Sequence, residues 1–137
     1  MSGCQTLPMA DRSLAQKLGV GPGMVVALVH AEATFSLEVP PTAVIRHGAR
    51  GSAPMVLAFF TRATRLENEL DRLAQMIHPS GSLWVAWPKR TSGRTSDLSD
   101  HVVRAAALAR GLVDNKVCAV DDTWSALRFV WRVEMRR

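Results

Sequence analysis

Met55-Val56-Leu57-Ala58-Phe59-Phe60-Thr61, then Leu66, Leu70, Leu73, Ala74 and Ile77, then Ser82-Leu83-Trp84-Val85-Ala86-Trp87: this stretch decides the fold. Its first part is a continuous apolar run of strand length, as required of a strand covered on both faces. The middle part recurs at helical intervals with charged residues between, which predicts an amphipathic helix of about four turns. Thr64 and Glu67 have capping-box spacing at its start. Pro79-Ser80-Gly81 make a turn, and Pro88 stops the second apolar run. Strand, helix and strand with apolar strand centres imply a parallel crossover.

Toward the N-terminus, Met24 to Val29 is a second valine-rich run and reads as the first strand, entered through the turn Gly21-Pro22-Gly23. Before it, Ser13 to Leu18 reads as a short helix ended by Gly19. Ala31 to Val39 is either a short helix or irregular, and Pro40-Pro41 stop it. Thr42 to Arg46 forms a short second strand, followed by the glycine-bearing loop His47 to Ser52. Toward the C-terminus, Asp97 has the character of an N-cap for a helix whose apolar stripe is Leu98, Val102, Ala105, Ala106 and Ala109, with Gly111 as its stop. Leu112 to Ala119 and Trp124 to Val133 are the last two strands. Only Asp121 to Thr123 separate them, too few for a parallel crossover, so they form an antiparallel hairpin. The expected fold is a three-layer α/β/α sandwich, a mostly parallel sheet of about six strands ending in an antiparallel hairpin. Residues 1–137 make one domain, with 1–11 as a frayed segment.

Composition narrows the class of protein. With 137 residues, 47% hydrophobic and 21% charged, disordered, collagen-like and coiled-coil readings drop out. No apolar run approaches the roughly 18 to 20 residues that span a bilayer, so no membrane partner is expected. The first 20 residues lack the apolar centre of a signal peptide, which makes the cytoplasm the expected location. Of the basic residues behind the net charge of +5, 14 are Arg and 3 are Lys, spread along the chain without an interleaved aromatic ladder. Nucleic acid is therefore not the expected partner. Cys4 and Cys118 have no metal-ligand spacing, and HxH, HExxH and CxxC are absent, so neither a metal nor a cofactor is predicted from these residues.

Ligands of open parallel sheets bind at the strand carboxyl ends. That rule selects His30 to Glu32, Thr61 to Ala63 and Trp87 to Asp97, which should lie side by side. The last combines an aromatic ring (Trp87), a stiff Pro88, cations (Lys89, Arg90, Arg94), hydroxyls (Ser92, Thr95, Ser96) and the helix start at Asp97. Such a loop suits a small anion or a peptide segment. Lys89 could instead pair with Asp97, and Trp84 and Trp87 could simply pack the core. His30 and Glu32 are the only neighbouring pair suited to acid-base chemistry, but no nucleophile sits in a strained turn, so no catalytic residue is assigned. The candidate ligand-binding residues are Trp87, Pro88, Lys89, Ser92, Asp97, His30, Glu32 and Trp124. They outline a non-catalytic binding domain. A homodimer is a further reading, formed through a sheet edge by the terminal strand with Arg128 and Arg132.

The order of strands and helices resembles the first strand plus the second half of the Rossmann-like fold of S-adenosylmethionine-dependent methyltransferases, which also ends in an antiparallel hairpin. In that superfamily the first strand runs into an acidic residue and a glycine-rich loop. Aligned by strand, the acidic position falls on Leu28 and the glycines on His30, Glu32 and Thr34, so all four are replaced. The 25 residues from His30 to Pro54 are too few for two full strand-helix units. What the resemblance implies is a truncated, degenerate methyltransferase-like domain as the enzyme-class alternative. Leu83-Trp84-Val85-Ala86-Trp87-Pro88-Lys89, Ser92-Gly93, Asp97-Leu98 and the segment from Gly111-Leu112-Val113-Asp114 to Trp124-Ser125 look like the bacterial domain-of-unknown-function family 3052. That resemblance runs from Leu14-Ala15 to Arg132 and implies no catalytic residue.

Overall fold

The computed structural model describes residues 13–136. The expectation of a frayed segment over 1–11, and Cys4 with it, lies outside these residues. In chain order the elements are α1 (Leu14–Leu18), β1 (Val25–Val29), β2 (Val44–His47), β3 (Met55–Phe59), α2 (Ala63–Ile77), β4 (Ser82–Pro88), α3 (Asp100–Leu108), β5 (Leu112–Ala119) and β6 (Trp124–Trp131). Short 3-10 turns cover Arg90–Ser92 and Val133–Met135. The six strands form one sheet in the order β2-β1-β3-β4-β6-β5. β1 to β4 are mutually parallel, and β6 runs antiparallel to both of its neighbours.

The period of two in each strand sorts side chains to opposite faces. Val56, Ala58 and Phe60 join Ala27, Val29, Leu83 and Val85 beneath α2 and α3. Met55, Leu57 and Phe59 join Val26, Leu28, Trp84 and Ala86 beneath α1 and residues 31–43. Because β3 and β4 are covered on both sides, every one of their residues is buried. On the α1 side Trp84, wholly buried, donates its indole N–H to the Leu18 carbonyl at 3.0 Å. On the other side Trp131 donates to the Ala74 carbonyl at 2.8 Å. These bonds satisfy indole donors that would otherwise be desolvated without a partner.

Residues 31–43 contain turns but no helix, so the second layer is thin: α1 has five residues against fifteen in α2. α1 carries a capping box, in which Ser13 accepts from the Gln16 amide and Gln16 returns a bond to the Ser13 amide, and Gly19 follows it at φ +94°. A left-handed stop of that kind suits glycine, which has no Cβ to clash. Gly81 is required for a different reason: a Cβ there would lie 2.8 Å from the Pro54 carbonyl oxygen and 2.9 Å from that of Ile77.

Four local expectations are corrected. The Thr64 and Glu67 capping box does not form; α2 starts at Ala63, and its N-cap Arg62 makes no side-chain cap bond. α3 starts at Asp100, capped by the Ser99 hydroxyl, which accepts from the Val102 amide at 3.3 Å, so Asp97 is not its cap. The last strand stops at Trp131, and Val133 belongs to a 3-10 turn. The terminal strand is also no free edge: β6 is inserted between β4 and β5 and hydrogen-bonded on both sides, leaving β2 and β5 as the edges. Among the described residues no helix is long and apolar enough to cross a membrane.

Candidate functional site

The chain leaves β1 toward β2 on one side, while β3 pairs on the other, so the carboxyl ends of β1 and β3 flank the point where the sheet's winding reverses. The loop after β4 reaches across this point. Its first residue is held by the Lys89 amide, which donates to the Thr123 carbonyl at 2.7 Å. Ser92 then folds the loop on itself: its hydroxyl donates to the Lys89 carbonyl at 2.7 Å and accepts from the Arg94 amide at 3.2 Å, and Gly93 takes φ +79°. Beyond it, the Ser96 hydroxyl donates to the Thr61 carbonyl at 2.8 Å. Asp97 Oδ1 accepts from the Ala63 amide at 2.7 Å and thereby caps α2 from a distant part of the chain. α2 has no acidic residue in its first turn, so this carboxylate supplies the negative charge that a helix N-terminus favours.

Arg94 closes the span to β1. Its Nη1 donates to Glu32 Oε2 at 2.7 Å, and its guanidinium lies 5.5 Å from the centre of the Trp124 ring. Trp124 Nε1 donates to the other Glu32 oxygen at 3.4 Å, and its ring meets Phe59 edge-on at 5.0 Å. The hydrogen bond from Arg94 holds the Glu32 carboxyl below its ordinary range against partial desolvation, with Trp124 assisting, and raises Arg94 reciprocally. The segments His30 to Glu32, Thr61 to Ala63 and Trp87 to Asp97 are thus brought to one rim.

His30 and Glu32 do not form a pair. His30 takes φ +61°, and its ring meets Glu69 of α2. This is the position aligned above with a glycine, and its backbone lies in the left-handed region that favours glycine. The His30 Nε2 proton goes to Glu69 at 2.6 Å, Arg65 Nη2 faces Nδ1 at 3.4 Å, and the ring stands edge-on to Phe60 at 5.5 Å. Burial pushes Glu69 up, but the hydrogen bonds from His30 and Arg65 together outweigh it and hold this carboxyl below its usual range. Both ring nitrogens of His30 are engaged, which leaves no lone pair directed at a substrate. Arg65 and Glu69 were not legible as site residues: on a helix with charged residues on its outer face, they carry no mark of their own.

Two clefts lie beside this strap. The larger, about 540 Å³, is bounded by Trp87, Pro88, Lys89, Arg90, Arg94 and Ser96, and across from them by Ser99, Asp100, Val117 and Ser125. Trp87 and Pro88 are buried and form its apolar back wall. Lys89 and Arg90 make no ion pair among the described residues, and the pairing of Lys89 with Asp97 is not formed. The smaller, about 280 Å³, is bounded by Glu32, Thr34, Phe35 and Asp121. Arg94 lines one and Glu32 the other, so their ion pair forms part of the wall between them. Ser92 and Asp97 lie outside both linings and serve to shape the loop. Trp124, with Asp121 Oδ1 accepting from the Thr123 and Trp124 amides, anchors the hairpin turn. Among the described residues no group of three or more His, Cys, Asp or Glu is placed to hold a metal ion. Cys118 is a free buried thiol, pushed up by desolvation against the opposing charges of Lys17 and Lys116.

A parallel sheet closed by an inserted antiparallel strand, with its candidate site at the strand carboxyl ends, defines a Rossmann-like α/β protein with a methyltransferase-like fold. Solved structures bear this out. A SAM-dependent methyltransferase from Aquifex aeolicus is similar over 85% of this chain and 86% of its own, at 13% identity and a TM-score of 0.60. The N-methyltransferase NodS from Bradyrhizobium japonicum, in complex with S-adenosyl-L-homocysteine, matches 85% of this chain and 82% of its own at 13% identity and a TM-score of 0.58. A putative methyltransferase from Thermoplasma acidophilum covers 85% and 72%, at 12% identity and a TM-score of 0.52. At such identities the likeness is one of fold. No family model and no curated protein matches the chain.

Proposed function

We propose that this chain is a non-catalytic binding domain that takes a small anionic ligand, or the acidic side chains of a peptide, in the cleft behind the Lys89 to Asp97 loop. The observation that carries it is the pair of cations Lys89 and Arg90, which form no ion pair with a described residue, in a cleft of about 540 Å³ backed by Trp87 and Pro88 and also lined by Asp100. A few polar groups converging on an apolar wall is the usual composition of a ligand site. The non-catalytic reading is supported by the engagement of His30 with Glu69 and of Glu32 with Arg94, which holds the two apart instead of setting them as an acid-base pair. The resemblance to the bacterial domain-of-unknown-function family 3052 belongs to the same proposal and is carried by the residues quoted from Leu83 to Lys89 and from Gly111 to Ser125.

Titration calorimetry with nucleotides, phosphorylated metabolites and acidic peptides tests it. Binding that Lys89→Ala abolishes is the expected result, and no heat from any of them at millimolar concentration would overturn the proposal. A second reading, retention of an adenosine-containing cofactor, is favoured by the fold and by the left-handed backbone kept at His30. Equilibrium dialysis against S-adenosylmethionine separates the two: retention supports the second reading, and its absence ends it.

A further inference from the structure

We propose a second, independent anion site between the β2–β3 loop and α2, selective for a phosphate group on a small molecule. The loop is pinned at both ends: the Gly48 amide donates to the Leu28 carbonyl at 2.8 Å and the Ala53 amide to the Met76 carbonyl at 2.9 Å. Arg46 reaches beneath it, and its Nη2 donates to the carbonyls of Arg50 at 2.6 Å and Ser52 at 3.1 Å. This contact engages the loop's carbonyl oxygens. The amide N–H groups of Ala49, Arg50, Gly51 and Ser52, four in succession, have no acceptor among the described residues. Gly48 at φ +101° and Gly51 at φ +67° shape the turn that carries them.

Facing the loop, α2 presents Arg72, Gln75 and Met76, and these with Ala49, Arg50 and Gly51 enclose a cleft of about 530 Å³. Among the described residues no carboxylate lines it. Arg65, Arg94, Arg104 and Arg110 each meet an Asp or Glu, whereas Arg46, Arg50 and Arg72 meet none among the described residues. The polar contact of Arg72 is a 3.5 Å approach to the Ala49 carbonyl, at the outer limit of a hydrogen bond. Arg46 also keeps its buried Nε without a hydrogen-bond partner beneath the loop. The guanidinium groups of Arg50 and Arg72, free backbone amides and the Gln75 side chain, with Arg46 bonded to the loop's carbonyls from beneath, exceed what the two oxygens of a carboxylate can accept. They suit the three oxygens of a phosphate monoester, which arginine recognises with two parallel donors and which successive backbone amides cradle. Ala49 and buried Met76 give an apolar floor for the rest of the molecule.

The test is an amide-resolved NMR titration of the full chain with inorganic pyrophosphate and with a sugar monophosphate, alongside sodium sulfate and a short DNA duplex. Saturable shifts centred on residues 49–52 are expected from the phosphates, with Kd rising about tenfold or more in R50Q/R72Q. R128Q/R132Q, which removes equal charge elsewhere, should change Kd by about twofold at most. Thermal unfolding of both double variants shows whether they are folded, and the single variant R72Q, on the exposed face of α2, supplies the readout should R50Q/R72Q unfold. The proposal is overturned if the 49–52 amides do not respond, if sulfate produces equal saturation, if both double variants lose affinity alike, or if the duplex occupies these amides more tightly than the monophosphate does.

Discussion

Replacing Asp97 by alanine tests the central structural claim, that the loop after β4 is fastened to the start of α2. The carboxylate accepts from the Ala63 amide at 2.7 Å, and α2 has no cap of its own. An N-cap acceptor contributes about 1 kcal/mol, within a range of roughly 0.5 to 2, and the carboxylate's charge at a helix N-terminus supplies about 0.3 to 1 of that order. For a domain of this size the loss of about 1 kcal/mol corresponds to a fall in Tm of roughly 3 to 5 °C. Asp97→Asn keeps the acceptor and drops only the charge, so it should lose less than half as much. Amide hydrogen exchange locates the effect: D97A should deprotect the first turn of α2 and the amides of residues 89–97 while leaving α3, which Ser99 caps, unchanged. Loss of protection at the start of α3 instead, with α2 intact, would refute the reasoning and restore the local cap that the sequence suggests.

Trp84→Phe should lower stability by about 2 to 3 kcal/mol, because it removes the bond to the Leu18 carbonyl and leaves a small void in a fully buried site; urea unfolding measures it, and a change below the error of the midpoint would contradict the packing described. Gly81→Ala should cost about 1 to 3 kcal/mol through the 2.8 Å approach to Pro54, read from the same unfolding curves. Glu32 and Glu69 are both held below their ordinary value of 4.5 in the folded state. The unfolded chain therefore takes up protons first as pH falls, so the stability these groups supply is complete above pH 4.5 and drains away as pH drops through their folded values. Unfolding midpoints collected between about pH 3 and 6 should show that slope, and E32Q/E69Q should flatten it.

How much of this was legible beforehand differs between elements. The runs at Met24 to Val29, Met55 to Phe60 and Leu83 to Trp87 read as covered strands, because they contain no polar side chain to face water. The short turn after Ala119 left only an antiparallel hairpin. Edge assignment was not available in the same way: that β6 lies inside β5 depends on which neighbours complete its backbone hydrogen bonds, and the alternation of side chains along a strand sorts its faces, not its edges. Caps were misassigned for a related reason, since Asp97 is an excellent cap by type and position but serves a helix 34 residues earlier in the chain.

By itself, then, the amino-acid order determined the strands, the helices and the set of segments that meet at the carboxyl rim, because hydrophobic period and turn length act over a few residues. Tertiary structure alone decided which charges meet there. Arg94 finds Glu32 across 62 positions and His30 finds Glu69 across 39, while Lys89, Arg90, Arg50 and Arg72 are among the cations that form no ion pair with a described residue. Pairing between distant charges follows from the spatial neighbours that the sheet order creates, and no local pattern records it.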